Sequence, residues 1–577
     1  MLSLNELIKA SKKTCDSRPI KVCILGNCST QFLAKAIKGY GITEGLNIIT
    51  YDADYDQITG QILDSSSEMY TFKPDIIVLY MCSEKLYEEF CDDNAPERFA
   101  EKTINTISNY YDRITSNCDA KIIQFNFAEI GDNIFGNYGA KTQASFTYQT
   151  RKLNYLLQEE MNGRKNVFPL DLLGIQNRIG YCQLFPQVQY HSSKLTIDLK
   201  YIPLAAKNII DIIKAMNGYV KKCIITDLDN TLWGGNAGDR DPGELEIGSV
   251  GRGHAFTDFQ RYIRKLKERG IILAVCSKNN EENAKRPFEC LEDMELKLSD
   301  FLIFTANWED KAANIRNIVR SLNISADSVV FIDDNVFERN AVKNLLPDIS
   351  VPDMPEDPAE YINTLKEYNY FETTSYSDDD IKRTELYQTE FKRKESIADF
   401  ADYDDYLRSL EMQAEAVPFD ELRSARVAEL SQRSNQFNLR TIRYTEDDIR
   451  RIADDKDYFT LCISLKDKYG SYGLISAVIM KKISNDTLFV DTWILSCRVL
   501  KRGVEEFIIN NIIKTAKEKG FKYVEAEYIP TAKNAMVKDI YGKYGFSAVK
   551  DNYFRIDVSD YEEHPCHITA VSPEVKI

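Results

Sequence analysis

Asp227 and Asp229 stand two residues apart at the end of the short apolar run Cys223-Ile-Ile-Thr226, with Thr231, Trp233 and the pair Gly234-Gly235 behind them. On a strand, positions i and i+2 face the same way. At a strand end the chain turns, so one carboxylate can face a cation while the other reaches past it. Three more groups follow in order. Ile271-Ile-Leu-Ala-Val-Cys276 reads as a buried strand that ends in the hydroxyl of Ser277. Lys311 opens a helical pattern carried by Ala313, Ile315, Ile318, Val319 and Leu322. Ser328-Val-Val-Phe-Ile332 is another buried-strand pattern, ending in Asp333-Asp334-Asn335. Carboxylates at the carboxyl ends of parallel strands make a hard, all-oxygen Mg2+ site with open positions for phosphate. The plain alternative is a nucleotide-type fold whose strands merely end in capping aspartates.

Aspartate, serine, lysine and paired aspartates in this order resemble the four signatures of the haloacid dehalogenase (HAD) superfamily. The resemblance implies that Asp227 is the nucleophile that attacks phosphorus and Asp229 the acid/base for the leaving oxygen. It implies that Ser277 and Lys311 hold phosphoryl oxygens. Asp227, the carbonyl of Asp229, and Asp333 with Asp334 then hold Mg2+.

These groups need a scaffold, and 577 residues suffice for about three domains with cores of their own. In residues 1–217, strand-like runs at Ile20–Leu25, Leu46–Tyr51, Ile76–Tyr80, Lys121–Phe125 and Val167–Asp171 alternate with helical stretches, which predicts a parallel α/β sheet. The turn Gly26-Asn27-Cys28-Ser29 resembles a worn nucleophile turn of SGNH-type esterases. Those enzymes need a late Asp-x-x-His pair, and three residues before His191 stands Val188. A structural or docking domain is therefore expected, with a Ser29–His191 dyad as the alternative. Residues 218–375 carry the HAD-like signatures. There the polar loop from Asn236 to Gly253 is expected to lie over the site, and a helix with Phe256, Phe259, Ile263 and Leu266 on one face is expected to stop at Gly270. No stretch between the first two signatures is long enough for a large cap, so the site can admit a substrate carried on something bulky. Residues 376–400, with Ser377-Asp-Asp-Asp380, read as a charged helical linker.

From 401 to 577 the pattern turns to a meander of strands around Phe459–Ser464, Gly473–Ile479 and Leu488–Ile494, then Arg498-Val-Leu-Lys501-Arg502-Gly503-Val504 and a helix. This resembles a GNAT-type acyltransferase, an α+β fold. Its phosphate loop, R/Q-x-x-G-x-G/A, holds a pyrophosphate or a pantetheine phosphate on backbone N–H groups at a helix start. Lys501 stands where the first glycine is usual. The resemblance assigns Arg498, Arg502, Gly503, Val504, Asn534 and Tyr541 to the cofactor.

Taken together, Asp227–Gly235, Cys276–Asn279, Phe331–Asn335 with Glu338-Arg339, Ser431–Asn438, and Ser496–Val499 with Arg502–Glu505 resemble the FkbH-like family. Its members combine SGNH-like, HAD-like and GNAT-like segments. The family is associated with forming a glyceryl thioester on an acyl carrier protein from 1,3-bisphosphoglycerate, for polyketide or related pathways. Besides Lys501, the chain departs from the pattern at Ser434, where threonine is usual. The resemblance implies Mg2+, the phosphopantetheine arm of a carrier protein (or an acyl-CoA) and a small phosphorylated acyl donor. It extends the substrate site to Thr231, Trp233, Lys278, Asn279, Gln436 and Asn438, with Gln432 and Asn435 beside the acyl path. An acyl phosphate can pass its acyl group to a thiolate. Cys276, directly before Ser277, is the first candidate and Cys497 the second, although strand alternation should turn Cys276 away from Ser277.

A net charge of −16 argues against bulk nucleic-acid or anionic-membrane binding. Four histidines leave little room for zinc or histidine chemistry. The start Met1-Leu-Ser-Leu-Asn-Glu lacks the build of a signal peptide, and the apolar runs are strand-sized. Thirteen cysteines without a C-x-x-C pair read as reduced thiols in a cytoplasm. Two other readings remain open: a plain Mg2+-dependent phosphatase of a small metabolite, and an acetyl-CoA-dependent N-acyltransferase for cell-surface sugars.

Overall fold

In a computed structural model of the chain, the described residues are 2–571 except 16, 377–386, 388, 390–392, 394–399, 401, 435 and 532. Most of the expected linker at 376–400, and Asn435, thus lie outside the described residues. Two compact units emerge, Met1–Lys214 and Ala215–Ile577. They contain three sheets, which give the expected class of three α/β segments.

The first unit holds a five-stranded sheet in the order β2-β1-β3-β4-β5. Its strands are β1 (Pro19–Gly26), β2 (Asn47–Asp52), β3 (Ile76–Tyr80), β4 (Lys121–Phe125) and β5 (Val167–Leu170). All pairs are parallel. Both faces of β3 are buried, as its unbroken apolar sequence requires. The strand order reverses between β1 and β3, where doubly wound folds keep their crevice. Across that place Cys82 donates its backbone N–H to Asn27 Oδ1 at 2.7 Å, and on the β2 side Thr30 Oγ1 donates to Asp52 at 2.6 Å. Ser29 gives its N–H to the carbonyl of Lys194, while His191 sits exposed on the helix Gln187–Ser193.

The second unit begins with a parallel sheet of β6 (Cys223–Thr226), β7 (Ile272–Ser277), β8 (Phe301–Ala306) and β9 (Val329–Ile332), in the order β8-β7-β6-β9. Alternate residues feed two apolar layers. Ile224, Leu273, Val275 and Val330 meet Phe256, Phe259 and Ile263 of the helix Gly251–Glu268. Cys223, Ala274, Cys276 and Phe331 meet Ala312, Ile315 and Ile318 of the helix Lys311–Leu322. Covering helices on both faces leave the carboxyl ends of the strands as the place where polar side chains can gather. Between β6 and β7 lie only a 3-10 turn, Pro242–Glu244, and the helix Gly251–Glu268, so no cap domain intervenes.

The third sheet runs β15-β16-β14-β13-β12-β11-β10-β17. Its strands are β10 (Met412–Val417), β11 (Tyr458–Asp467), β12 (Gly470–Lys482), β13 (Thr487–Leu495), β14 (Tyr523–Glu527), β15 (Ser547–Lys550), β16 (Tyr553–Asp557) and β17 (Ile568–Ala570). A meander, β10 to β13, is followed by the crossover helix Val504–Glu518, which returns to a parallel β14. This is the α+β plan of a GNAT-like domain. No helix among the described residues is long and apolar enough to cross a membrane.

Candidate functional site

The turn after β6 is built by burial and one left-handed residue. Leu228, Leu232 and Trp233 are wholly buried, which anchors the loop in the core. Asn230 adopts φ +54°, a conformation asparagine tolerates, and its Oδ1 accepts the N–H of Gly235 at 2.9 Å. Tyr361 donates its hydroxyl to the carbonyl of Asn230 at 2.9 Å. The Asp227 N–H reaches the carbonyl of Ile332 at 2.9 Å, tying this turn to the end of β9.

There Asp333 and Asp334 meet Asp227. One carboxylate oxygen from each of the three lies within 4.8 Å of the other two. Lys311 Nζ bridges two of them, 2.6 Å from Asp333 Oδ2 and 2.9 Å from Asp227 Oδ2. Three carboxylates against one ammonium leave an excess of negative charge in a buried pocket. Burial, reinforced by the charge of Asp227, pushes the Asp333 carboxyl up to about 7 against the pull of Lys311. The same causes push Asp334 up to about 6. Burial works against the Lys311 ammonium, but Asp227 and Asp333 outweigh it and hold the group above the ordinary lysine range. Asp227 Oδ1 is buried with no hydrogen-bond partner among the described residues. A buried carboxylate oxygen left unpaired in a native fold calls for a ligand. An unpaired oxygen, an all-carboxylate donor set and excess negative charge fit a hard divalent cation such as Mg2+. Ser277 is buried at the end of β7, where Asn307 donates its N–H to the Ser277 carbonyl at 3.2 Å.

Asp229 is held apart from this cluster by three donors. Trp233 Nε1 and the N–H of Ala237 both reach its Oδ1 at 2.9 Å, and Asn279 Nδ2 reaches Oδ2 at 3.0 Å. Burial raises the Asp229 carboxyl and these donors act against it. Trp233 and Asn279, expected at the substrate, are thus both hydrogen-bonded to Asp229. Trp233 is wholly buried with its ring 5.4 Å from that of Phe288, and Asn279 is buried as well. Thr231, also expected at the substrate, is buried and accepts the N–H of Asp334 on Oγ1 at 3.2 Å. Lys278 pairs with Glu338 at 2.7 Å. Sequence reasoning assigned no role to Arg339, which clamps the acidic turn by donating to the carbonyls of Asp333 (2.8 Å) and Asp334 (2.6 Å). The available signal was its place one turn into the helix that follows Asp333.

Cys276 is not brought into the cluster. Its side chain is fully buried in the layer formed with Ala312, Ile315 and Phe331, with Sγ 3.8 Å from the carbonyl of Lys311. Burial pushes the thiol up to about 12, with Lys311 pulling the other way. Strand alternation turns it away from the pocket, so Cys276 offers no accessible sulfur for the expected thioester role. The side chain of Cys497 lies outside the described residues.

In the third sheet the residues expected to hold a pantetheine or acyl-CoA are engaged with the chain itself. Gly503 adopts φ +78° at the start of the helix Val504–Glu518, as a phosphate loop requires. Lys501, however, takes φ +63° in place of glycine, and its N–H goes to Glu505 Oε1 at 3.1 Å. Arg502 is buried and bonds the Tyr472 hydroxyl, while Arg498 reaches Ser496 Oγ at 3.3 Å. Val504 and Tyr541 are core residues; Tyr541 packs on Phe546 and Phe554. Asn534 is wholly buried and donates to the carbonyls of Asn438 (3.0 Å) and Ile529 (2.9 Å). Gln436 is half-buried, beside the same segment.

Residues 21–214 match the family model described as FkbH, N-terminal domain. A solved structure, the N-terminal part of the protein BF1531 from Bacteroides fragilis containing a phosphatase domain complexed with Mg, is 42% identical over 65% of this chain and 100% of its own, with a TM-score of 0.63. The ribosomal-protein-S18-alanine N-acetyltransferase from Escherichia coli is 11% identical, covering 26% of this chain and 99% of its own, with a TM-score of 0.21. The GNAT domain of S. lividans PAT is 18% identical, covering 25% and 89%, also with a TM-score of 0.21. No curated protein matches the chain. With the N-terminal domain matched as FkbH and a phosphatase-containing relative matched over its whole length at 42% identity, the chain belongs to the FkbH-like family.

Proposed function

We propose that the chain is a Mg2+-dependent phosphoryl-releasing enzyme of HAD type. In this reading it takes a phosphorylated acyl donor such as 1,3-bisphosphoglycerate and leaves a glyceryl group on the phosphopantetheine thiol of an acyl carrier protein, in the cytoplasm. The single observation that carries the phosphatase half is the unpaired, buried Asp227 Oδ1 beside Asp333 and Asp334. The carrier half rests on the family resemblance, as does the division into an SGNH-like segment at 1–217, the HAD-like segment at 218–375 and the GNAT-like segment at 401–577.

Asp227, the carbonyl of Asp229, Asp333 and Asp334 are the groups that hold the cation. When bound, Mg2+ neutralises phosphoryl oxygens and so lowers the cost of bringing an anionic donor to a carboxylate. At the ester phosphate of the donor, a carboxylate oxygen of Asp227 forms a bond to phosphorus as the bond to the leaving oxygen breaks; the acyl phosphate is cleaved at carbon instead, where the carrier-arm sulfur bonds to the carbonyl while inorganic phosphate leaves and takes up the thiol proton. Asp229, aimed by Trp233, Ala237 and Asn279, gives the leaving oxygen its proton. It then takes a proton from the water that cleaves the aspartyl phosphate, which returns both carboxylates to their starting state. Lys311 and Ser277 hold the phosphoryl oxygens, and Lys311 keeps Asp227 and Asp333 from repelling one another. The missing cap domain suits a substrate borne on a protein.

The test is intact-mass spectrometry of the carrier protein after incubation with enzyme, Mg2+ and 1,3-bisphosphoglycerate, with phosphate measured in parallel. A glyceryl mass increment with phosphate release is expected. Phosphate release without any change in carrier mass would reduce the reading to a small-molecule phosphatase. Release unaffected by a chelator would overturn it altogether.

A further inference from the structure

In the GNAT-like sheet, β13 and β14 pair only from Thr487↔Tyr523 to Val490↔Ala526. Beyond Val490, β13 continues for five residues, Asp491 to Leu495, along β12 but no longer along β14. Such an opening exposes a row of strand N–H and C=O groups, the kind of edge on which an extended arm with amide groups can lie. It leads straight into the loop Ser496–Gly503, where the GNAT fold places phosphates. By the resemblance to GNAT domains, a pantetheine arm would lie along this open groove.

The groove is filled by the chain. Asn438 forms an antiparallel bridge with Ile494, and Leu495 gives its N–H to the carbonyl of Phe437 at 3.2 Å. On the far side, Ile529 gives its N–H to the carbonyl of Leu439 at 2.8 Å. Asn534 Nδ2 caps the carbonyl between them, that of Asn438. Arg440 then fastens both walls, with Nε 2.9 Å from Glu527 Oε2 and NH1 3.1 Å from the carbonyl of Asp491. Phe437 and Leu439 are buried, the first with its ring 5.4 Å from that of Trp493. The insert is thus hydrogen-bonded to both walls, packed and ion-paired, as a short extra strand is. At the phosphate end, Glu505 puts a carboxylate on the Lys501 N–H that an anionic ligand would need.

We infer that Phe437–Arg440 is an internal strand that closes the GNAT-like domain to coenzyme A thioesters, so the domain does not draw its acyl group from that cofactor. To enter, an arm must displace a segment held by two main-chain bonds, a buried asparagine and an arginine clamp. Free coenzyme A brings no protein surface to offset that cost. The inference stands apart from the phosphatase reading, because Mg2+-dependent phosphate release is measured at other residues and can fail or succeed by itself.

The experiment uses the full chain. Coenzyme A and acetyl-CoA are titrated by calorimetry, and amide hydrogen exchange is followed at Leu495 and Ile529. No saturable binding up to about 1 mM is expected, together with slow exchange at both amides. In Arg440→Ala, which removes the bonds to Glu527 and Asp491, exchange at these two amides should rise at least about tenfold, since one lost charged hydrogen bond already has that effect. Binding of either compound in the micromolar range would overturn the inference. Fast exchange at Leu495 and Ile529 in the unaltered protein would overturn it too, since the strand would then not be in place.

Discussion

Replacing Trp233 by phenylalanine isolates one bond in the proposed reaction. The indole Nε1 lies 2.9 Å from Asp229 Oδ1, and the ring is wholly buried at 5.4 Å from that of Phe288. Phenylalanine keeps an aromatic ring against Phe288 and removes the donor. A hydrogen bond to a charged group contributes about 1.5–3 kcal/mol. Asp229 retains Ala237 N–H and Asn279, so the lower end applies, and about 1.4 kcal/mol corresponds to tenfold in rate. The expected outcome is a fall in kcat of about ten- to thirtyfold for hydrolysis of a simple phosphate ester, with KM and the Mg2+ requirement little changed. The smaller ring also costs about 1–2 kcal/mol of stability by leaving a gap, so melting is measured beside turnover. Asn279→Ala should act in the same direction, and Asn279→Asp, which sets a second carboxylate against the first, more strongly. A Trp233→Phe protein that melts lower but turns over at the original kcat would refute the argument, because the tryptophan would then be core filling alone. A rise in KM with kcat unchanged would return Trp233 to the substrate.

Asp333→Asn should lower Mg2+-dependent phosphate release by about a hundred- to a thousandfold while the fold survives. In the unaltered protein, free Mg2+ at a hundred times its Kd should add about 2.7 kcal/mol of stability, and the resulting rise in melting temperature should vanish in Asp333→Asn. Lys311→Met removes the ammonium between Asp227 and Asp333 and should cost about 3 kcal/mol without metal, measured by urea unfolding, with part of the loss restored by Mg2+. Iodoacetamide at pH 8 should label the exposed Cys91, Cys182 and Cys290 and leave Cys276 untouched; labelling of Cys276 at their rate would show that the thiol is reachable. Ser29→Ala should leave carrier loading as it was, read by the same intact-mass assay.

The acidic cluster was legible because each member follows an apolar run. Ile271–Cys276 and Ser328–Ile332 can hardly be anything but buried parallel strands, and such strands bring their carboxyl ends together wherever they lie in the chain. The tasks of Thr231, Trp233 and Asn279 were not legible. Each is decided by a bond to a residue on another loop, and spacing carries no record of whether a side chain points at a ligand or at its neighbour. Cys276 shows both sides of this. Alternation along β7 correctly turned it from Ser277, but only the packed layer around Ala312 and Ile315 shows that the far side is sealed.

The third sheet carries the opposite lesson, and it separates the two sites physically. Arg498, Gly503, Asn534 and Tyr541 are all present as letters of a GNAT-like motif, and Gly503 even takes the backbone angle the motif needs. What a motif cannot state is whether its donors are spent. Asn534 gives its amide to Asn438, Lys501 gives its N–H to Glu505, and Leu495 and Ile529 give theirs to Phe437 and Leu439. Among the described residues of that loop, the buried atom without a partner, Glu505 Oε2, is an acceptor and not a donor that a phosphate could use. Around Asp227 the balance is reversed. A buried carboxylate oxygen is left without a donor, and a single ammonium answers three carboxylates. A fold that leaves such atoms unpaired loses stability by it, and a bound cation recovers that loss. By this measure the carboxyl ends of β6 and β9 are built to be completed by a cation, whereas beside β13 the donors that an extended arm would need are already spent.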